Sequence, residues 1–193
     1  MSKEHGAYVT GAFWTLSPVV AITSAWDGKV NGQIAVTVVN GSIVHSHPRL
    51  IVGIWKKNYT HDFILNSCSM VIHLLRNDQL STVKNFGFYT GRDRDKFVGV
   101  ETKTGALGCP VLLDAHSYAE CKVINKMDCG DMTSFLVDVV DGGINNSGEW
   151  LTLQHFYSNA PMEWIQQYEA RLGESIEESL RTINNIDHSA WTP

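Results

Sequence analysis

At positions 30–35 the sequence reads Val30-Asn31-Gly32-Gln33-Ile34-Ala35. Small and polar residues in such a stretch let the backbone approach a flat ligand closely. A plain loop-to-strand transition is the competing interpretation, because Asn-Gly is also a common turn signal. Residues 33–39 are rich in β-branched side chains and predict a strand. The stretch therefore predicts a strand and marks its first residues as a candidate ligand-binding segment.

Short apolar segments lie on both sides of this strand in the chain. Residues 19–23 predict a strand that stops at the turn signal Asp27-Gly28, and residues 50–55 and 70–75 are nearly continuous apolar runs. Asn40-Gly41 interrupts the strand of residues 33–39, and residues 42–44 resume it. The other predicted strand segments are 111–113, 117–125, 133–140 and 151–155. Many short strands predict a closed or partly closed barrel, because closure removes exposed sheet edges.

Helical periodicity is confined to two inserts and to the C-terminal part. One helix is predicted from near Thr60 to about Asn66, and another begins after Asn77 or Asp78 as its N-cap. In the tail, a helix begins near Pro161 and ends before Gly173, and the capping box at 175–178 opens a second one. We therefore expect a β-rich domain over residues 1–157 and a helical extension over residues 158–193.

Composition excludes several classes of protein. The 193 residues carry a net charge of −5 without a basic block, which disfavours nucleic acid as a partner. No apolar run approaches the roughly 20 residues of a membrane helix. The four cysteines form no C-x-x-C pair and predict reduced thiols in a cytoplasmic protein.

Two charged stretches are candidates for binding an anion. Residues 55–61 read Trp55-Lys56-Lys57-Asn58-Tyr59-Thr60-His61, where a strand ends and a helix begins, and helix N-termini bind phosphate. A solvated helix start with two surface lysines is the alternative. Residues 90–97 carry mixed charges that either form a solvated loop or hold a phosphate across a cleft.

Other site chemistries have no support in the sequence. The histidines at positions 45, 47 and 61 lack the further ligands of a familiar zinc arrangement, so no metal is predicted. The sequence contains no G-x-S-x-G, G-x-G-x-x-G or Walker A motif. No residue is assigned as catalytic.

Taken together, these stretches resemble the flavin reductase-like family with the FMN-binding split-barrel fold. The resemblance runs from about Pro18 to about Tyr157. It rests on Asn31–Ala35, Pro48, Lys56–Thr60, Gly91–Phe97, Gly108–Leu112, Ala119–Cys121 and Gly130-Asp131. It implies a mainly β fold, a six-stranded Greek-key split barrel with short inserted helices, followed here by the C-terminal helical tail. It also implies a homodimer with FMN at the subunit interface, FAD being the alternative flavin.

The resemblance also implies where the flavin binds. The ring system is implied to lie along Gln33–Thr37, with its phosphate at Lys56, Asn58 and Thr60. The same cleft is implied to be lined by Arg92, Lys96 and Phe97, either from the same subunit or from the other subunit. The implied cofactor-binding residues are Asn31, Gln33, Ile34, Ala35, Val36, Thr37, Ser46, Lys56, Asn58, Tyr59, Thr60, Arg92, Lys96 and Phe97. Met132 stands where the family commonly has a His that is implied to lie near the flavin and the nicotinamide.

Two functions from different classes remain open. The first is an oxidoreductase in which NAD(P)H gives a hydride to FMN, and electrons pass to free flavin, iron or a protein such as a rubredoxin, a flavodiiron protein or a monooxygenase component. The second is an FMN-containing electron carrier, like flavoredoxin, that does not oxidise NAD(P)H; Met132 and the helical tail favour it. A pyridoxamine-phosphate-oxidase-like or haem-binding relative on the same barrel is a third interpretation, because fold alone does not determine function.

Overall fold

The computed structural model describes residues 9–11, 13–14 and 17–191, and a curled antiparallel sheet forms its body. The strands of the sheet are Val20–Trp26 (β1), Lys29–Ala35 (β2), Val38–Asn40 (β3), Arg49–Trp55 (β4), Ser69–Leu74 (β5), Ser117–Asp128 (β8) and Met132–Ile144 (β9). A separate two-stranded sheet pairs Thr102–Thr104 (β6) with Pro110–Leu112 (β7). The helices are Tyr59–Ser67 (α1), Leu80–Gly87 (α2), Leu153–Asn159 (α3) and Met162–Ser179 (α4).

Strand order explains the curvature of the large sheet. The order is β2-β1-β5-β8-β9-β4-β3, so β2 and β3 are its two edges. Only Val36 and Thr37 separate these edges in the chain, and the sheet must therefore curl until they meet. The expected barrel is confirmed, with seven strands in the main sheet rather than six. The additional strand is the three-residue β3, which continues the path of β2 and pairs with β4.

The turn that aligns the first two strands is the one that the sequence indicates. Trp26 pairs with Lys29, so Asp27 and Gly28 form a two-residue loop. Their φ angles are 52° and 69°, and positive values at both positions match the twist of a β-hairpin. This turn sets the register that places Asn31 and Gln33 on one face of β2, because side chains alternate along a strand.

The core lies on both faces of the sheet. Val20 and Ile22 of β1 pack inside the curled sheet with buried residues of five other strands, among them Ile54 and Phe135. Their neighbours on the opposite face join a second cluster with Phe86 of α2 and Phe156 of α3. The helical tail is part of this second cluster, because Ile165 of α4 is buried in it.

Several predicted elements differ from those observed. The predicted strand at 151–155 is wrong, because Thr152 is the N-cap of α3 and its hydroxyl accepts from the His155 N–H. The predicted break at Gly173 is also wrong, since α4 continues through it to Ser179. A helical glycine costs only about 1 kcal/mol relative to alanine. The predicted capping box at 175–178 does not form, because the Ser175 hydroxyl donates to the Arg171 carbonyl.

Smaller differences concern segment ends. Residues 42–44 form no strand, and Gln79 replaces Asn77 or Asp78 as the N-cap of α2. Within the described part of the chain, no helix combines the length and apolar character needed to cross a membrane.

Candidate functional site

A polar cavity of about 250 Å³ opens between β2, the start of α1, the end of α2 and the C-terminal helix α4. It draws its lining from five separated parts of the chain. The lining residues are Asn31, Gln33, Ile34, Trp55, Lys57, Asn58, Tyr59, Thr60, Phe86, Gly87, Tyr89, Thr90, Gly91, Arg92, Lys96 and Arg171. The structure therefore brings together the three stretches singled out in the sequence, around positions 31, 58 and 92, and adds α4.

One wall of the cavity is the polar face of β2. Asn31 and Gln33 are only 3% and 5% exposed, although both side chains are polar. The Asn31 amide donates to the Thr60 hydroxyl at 3.2 Å, which ties β2 to the first turn of α1. A Cβ atom on Gly91 would overlap the Asn31 side-chain oxygen, so the loop after α2 rests directly on this residue.

Gln33 has an unusual environment. Its Oε1 atom is buried and accepts no hydrogen bond from any described residue. Leaving a buried acceptor unpaired costs about 1–3 kcal/mol, so native proteins rarely tolerate one without a partner. Because Gln33 lines the cavity, the missing donor is expected to belong to a ligand.

The start of α1 supplies donors to another part of the cavity. The side chain of its N-cap, Asn58, makes no capping hydrogen bond. The first N–H groups of a helix have no partner within the helix, and they carry the positive end of its dipole. The Thr60 hydroxyl accepts from Asn31, so its own hydrogen is available for a second partner. This arrangement suits a phosphate group.

Every charged side chain that lines the cavity is a cation. Lys57 and Arg92 have acidic partners, with Lys57 Nζ 2.9 Å from Glu178 and the Arg92 guanidinium 3.0 Å from Asp62. The Arg92 guanidinium also lies over the Tyr59 ring, 4.5 Å from its centroid. The cavity is therefore electropositive and favours an anionic ligand.

Lys96 is the buried cation of the group. Its side chain is buried, and Nζ donates to the Phe86 carbonyl at 3.0 Å. Burial, together with the nearby Arg171 and Arg94 guanidinium groups, lowers the pKa of Lys96 to about 8. A negative group beside Lys96 would relieve both effects.

Six residues expected to bind the cofactor lie outside the cavity lining. Lys56 turns away, and its ammonium pairs with Asp128 at 2.6 Å. The others are Ala35 in the barrel core, Val36 against the outer cluster, the exposed Thr37, Ser46 beside His47, and Phe97 against the Phe86 ring. Their roles in binding stay predictions. Met132 is likewise not part of the lining and pairs with Trp55 across β4 and β9.

The cavity also includes residues that were not selected from the sequence. Lys57, Thr90 and Gly91 lie within the quoted stretches. Because successive side chains at the end of β4 point to opposite sides, Lys57 is expected on the same side as Trp55, and this signal could have identified Lys57 rather than Lys56. Arg171 is different, because nothing in its local sequence sets it apart from other helical arginines. Only the packing of α4 places it at the cavity.

Comparison with known proteins agrees with this geometry. The model of the flavin reductase like domain matches residues 15–161. The chain belongs to the flavin reductase-like family. The resemblance inferred from the sequence is confirmed, and the fold is the split barrel of that family.

Two relatives within this family are similar over most of the chain. The high molecular weight rubredoxin of Moorella thermoacetica is 35% identical over 151 residues, which cover 77% of this chain and 65% of the relative. The ferric-chelate reductase (NAD(P)H) of Archaeoglobus fulgidus is 31% identical over 150 residues, 76% of this chain and 87% of the relative. The first relative therefore extends well beyond the part that this chain matches.

A solved structure shows the same fold. An FMN-binding protein from Thermus thermophilus aligns with a TM-score of 0.61 and 23% identity, over 66% of this chain and 71% of that protein.

The cavity fits the flavin that the family implies. A flavin ring carries an N–H group able to donate to Gln33 Oε1, which has no partner among the residues of the described ranges. Its phosphorylated side chain suits the cationic surroundings and the start of α1.

Proposed function

We propose that the protein is an FMN-binding oxidoreductase that takes a hydride from NAD(P)H and passes electrons to free flavin or to a partner protein. The observation that carries this proposal is Gln33 Oε1, with which no described residue pairs, in a cavity whose charged lining within the described part of the chain is cationic. The name of the NAD(P)H-dependent ferric-chelate relative supports a nicotinamide donor, and the FMN-binding structural neighbour supports FMN.

The residues of this chain bind and orient the cofactor. Bound FMN supplies the hydride and electron chemistry, which needs no acid or base from the protein. Gln33 holds the ring system from β2, and Asn31 fixes the Thr60 hydroxyl that faces the phosphate. Ile34 and Phe86 give the cavity its apolar surface, which limits water around the ring.

We place the flavin phosphate at the first turn of α1. Asn58 and Thr60 provide the uncharged donors there, and Lys57 and Arg92 provide positive charge from the same region of the cavity. Arg92 also donates to the Lys57 carbonyl at 3.2 Å, which holds the two cationic segments together. Lys56 has no place in this arrangement because its ammonium is paired with Asp128.

Thr60→Val is expected to weaken FMN binding about tenfold and riboflavin binding much less, because one hydrogen bond to a charged phosphate is lost. The variant also removes the acceptor of the Asn31 amide, and that loss affects both flavins alike. Valine keeps the volume of the buried side chain, so the fold should persist. Quenching of flavin fluorescence during titration of the apo-protein measures both affinities. Lys56→Met is the matched control and should bind both flavins as the wild type does. If the affinity for FMN fell tenfold in Lys56→Met and stayed unchanged in Thr60→Val, the phosphate would bind next to Lys56 instead.

Titration of the purified flavin-loaded protein with NADH under anaerobic conditions tests the proposed activity. The visible flavin absorption is expected to bleach rapidly with one equivalent of NADH, and far faster than that of free FMN. A flavin spectrum that persists would contradict the reductase. It would support the electron carrier, reduced by another protein.

The carrier is the second candidate because α4 places Arg171 in the cavity lining, and a helix at this position narrows the access for a nicotinamide. A relative named for rubredoxin supports a redox partner of that kind in either case, and diflavin flavoproteins also match parts of the chain. The homodimer, the identity of the partner and the cytoplasmic location stay predictions.

A further inference from the structure

The C-terminal helix α4 passes beside the cavity and is held to the body on both sides of Arg171. Near its start, Tyr168 stacks on Phe88 with ring centroids 6.3 Å apart, and Lys84 Nζ lies 4.4 Å from the centre of the Trp164 ring. At its end, Trp55 Nε1 donates to the Ser179 hydroxyl at 3.0 Å. Arg171 lies between these two attachments and lines the cavity.

Arg171 and Lys96 differ from the other two cavity cations. Lys57 and Arg92 pair with Glu178 and Asp62. Among the residues that the structure describes, no carboxylate lies within 4.0 Å of the charged atoms of Lys96 or Arg171. A buried ammonium beside a second cation is unfavourable unless an anion compensates both charges.

The two cations lie at different depths. Lys96 is 5% exposed and reaches into the cavity from the loop after α2, whereas Arg171 is exposed at the opening. Guanidinium and ammonium groups together are well suited to phosphate oxygens, since the guanidinium can donate two parallel hydrogen bonds and the ammonium adds a compact charge. A peptide carboxylate carries one negative charge and would compensate only one of the two cations. Because Lys96 lies at the inner end of the cavity, a small anion with several negative charges suits the pair better.

We propose that Arg171, together with Lys96, binds a phosphate group of a nucleotide, so that α4 completes the binding site. This inference rests on the proposed function, because the nucleotide is either the flavin or the nicotinamide donor. The phosphate on α1 described above accounts for one anionic group. The Arg171 subsite would take a second one, from the pyrophosphate of the donor, or would share the phosphate of FMN.

Calorimetric titration of the apo-protein with FMN, riboflavin and inorganic pyrophosphate tests the subsite directly. Arg171→Gln is expected to lower the affinity for pyrophosphate about tenfold, the loss of one charged hydrogen bond. Arg181→Gln, an exposed residue just beyond α4, is the matched control and should bind as the wild type does. Arg171→Lys should recover part of the loss, which a purely structural role of the side chain would not predict.

The source of the phosphate follows from two further comparisons. If FMN binding weakens in Arg171→Gln while riboflavin binding does not, the subsite holds the flavin phosphate. If instead the flavin-loaded variant binds NADPH about tenfold more weakly while its affinity for FMN is unchanged, the subsite binds a phosphate of the nicotinamide donor.

Equal affinity of the wild type and Arg171→Gln for pyrophosphate, FMN and NADPH overturns the subsite, and so does a wild type that binds none of them. If the wild type binds pyrophosphate but neither FMN nor riboflavin, the proposed function is wrong and the subsite proposal still stands. The Arg171 variant would then still decide the subsite.

Discussion

Gly91→Ala is expected to lower the affinity for FMN at least about tenfold and to lower the free energy of unfolding by only about 1 kcal/mol. The added Cβ atom would overlap the Asn31 amide oxygen and lie 2.8 Å from its Cγ atom. Asn31 has no room to move back, because it is 3% exposed and its amide is bonded to Thr60. It must turn into the cavity and give up this hydrogen bond, a loss of roughly 1 kcal/mol before any clash with the ligand is counted.

Because Gly91 lies in a loop, the substitution is expected to perturb the binding site and leave the core packing unchanged. Quenching of flavin fluorescence measures the affinity, and urea unfolding measures the stability of the same variant. Gly173→Ala is the matched control, because nothing lies within 4 Å of its added Cβ atom. Since Gly173 is inside α4, this variant should bind FMN normally and be about 0.5–1 kcal/mol more stable. FMN affinity equal to that of the wild type in Gly91→Ala would show that Asn31 is not part of the binding wall.

Acidification is expected to destabilise the protein between pH 6.5 and 4 through His73. This ring is completely buried in β5, Nδ1 donates to the Ala21 carbonyl at 3.1 Å, and Nε2 accepts from the Leu112 N–H at 3.0 Å. An N–H group that points at Nε2 requires this nitrogen to be unprotonated. Burial accordingly lowers the pKa of His73 from 6.5 to about 4.

The sign of the pH dependence follows from proton binding. Between pH 6.5 and 4 the unfolded chain takes up a proton at His73 that the folded protein does not, so the free energy of unfolding falls as the pH falls. The contribution is complete above pH 6.5, and its loss down to pH 4 amounts to about 3 kcal/mol. The pKa of His61 is also lowered by burial and acts in the same direction.

Urea unfolding of the wild type and His73→Gln at pH 7.5 and pH 5 measures this effect. Glutamine can donate and accept at the same two contacts without titrating, so the variant should lose less stability than the wild type when the pH is lowered. His47→Gln, at an exposed position, should leave the pH dependence as it is. The same loss in His73→Gln as in the wild type would assign the acid sensitivity to other groups.

Local sequence determined the elements that carry the cofactor site. The Asp27-Gly28 turn requires two positive φ angles, which few other residue pairs accept, and it sets the register of β2. The N-terminus of α1 follows from Asn58 and Thr60 at the end of an apolar strand. Short-range signals of this kind are readable because their physical causes lie within a few residues.

Errors arose where distant contacts decide between local alternatives. Residues 151–155 form a helix start because Phe156 packs in the outer core, whereas their composition suits a strand equally well. Gly173 does not end α4, since Tyr168 before it and Ser179 after it are both fixed to the body. Lys56 was selected as a phosphate ligand, but Asp128 holds its ammonium away from the cavity and leaves Lys57 in the lining.

By itself the sequence determined the family, the barrel and the β2 and α1 segments of the site, because each depends on the local pattern of residues. Tertiary structure alone decided that no described residue donates to Gln33 Oε1, that Gly91 rests on Asn31, and that Arg171 reaches the cavity. These features depend on contacts between distant parts of the chain. Gly91 and Asn31 are more than 50 residues apart in the sequence, and Arg171 and Gln33 are more than 130 apart. Their contacts exist only after the barrel has curled and α4 has packed against it, so no local pattern encodes them.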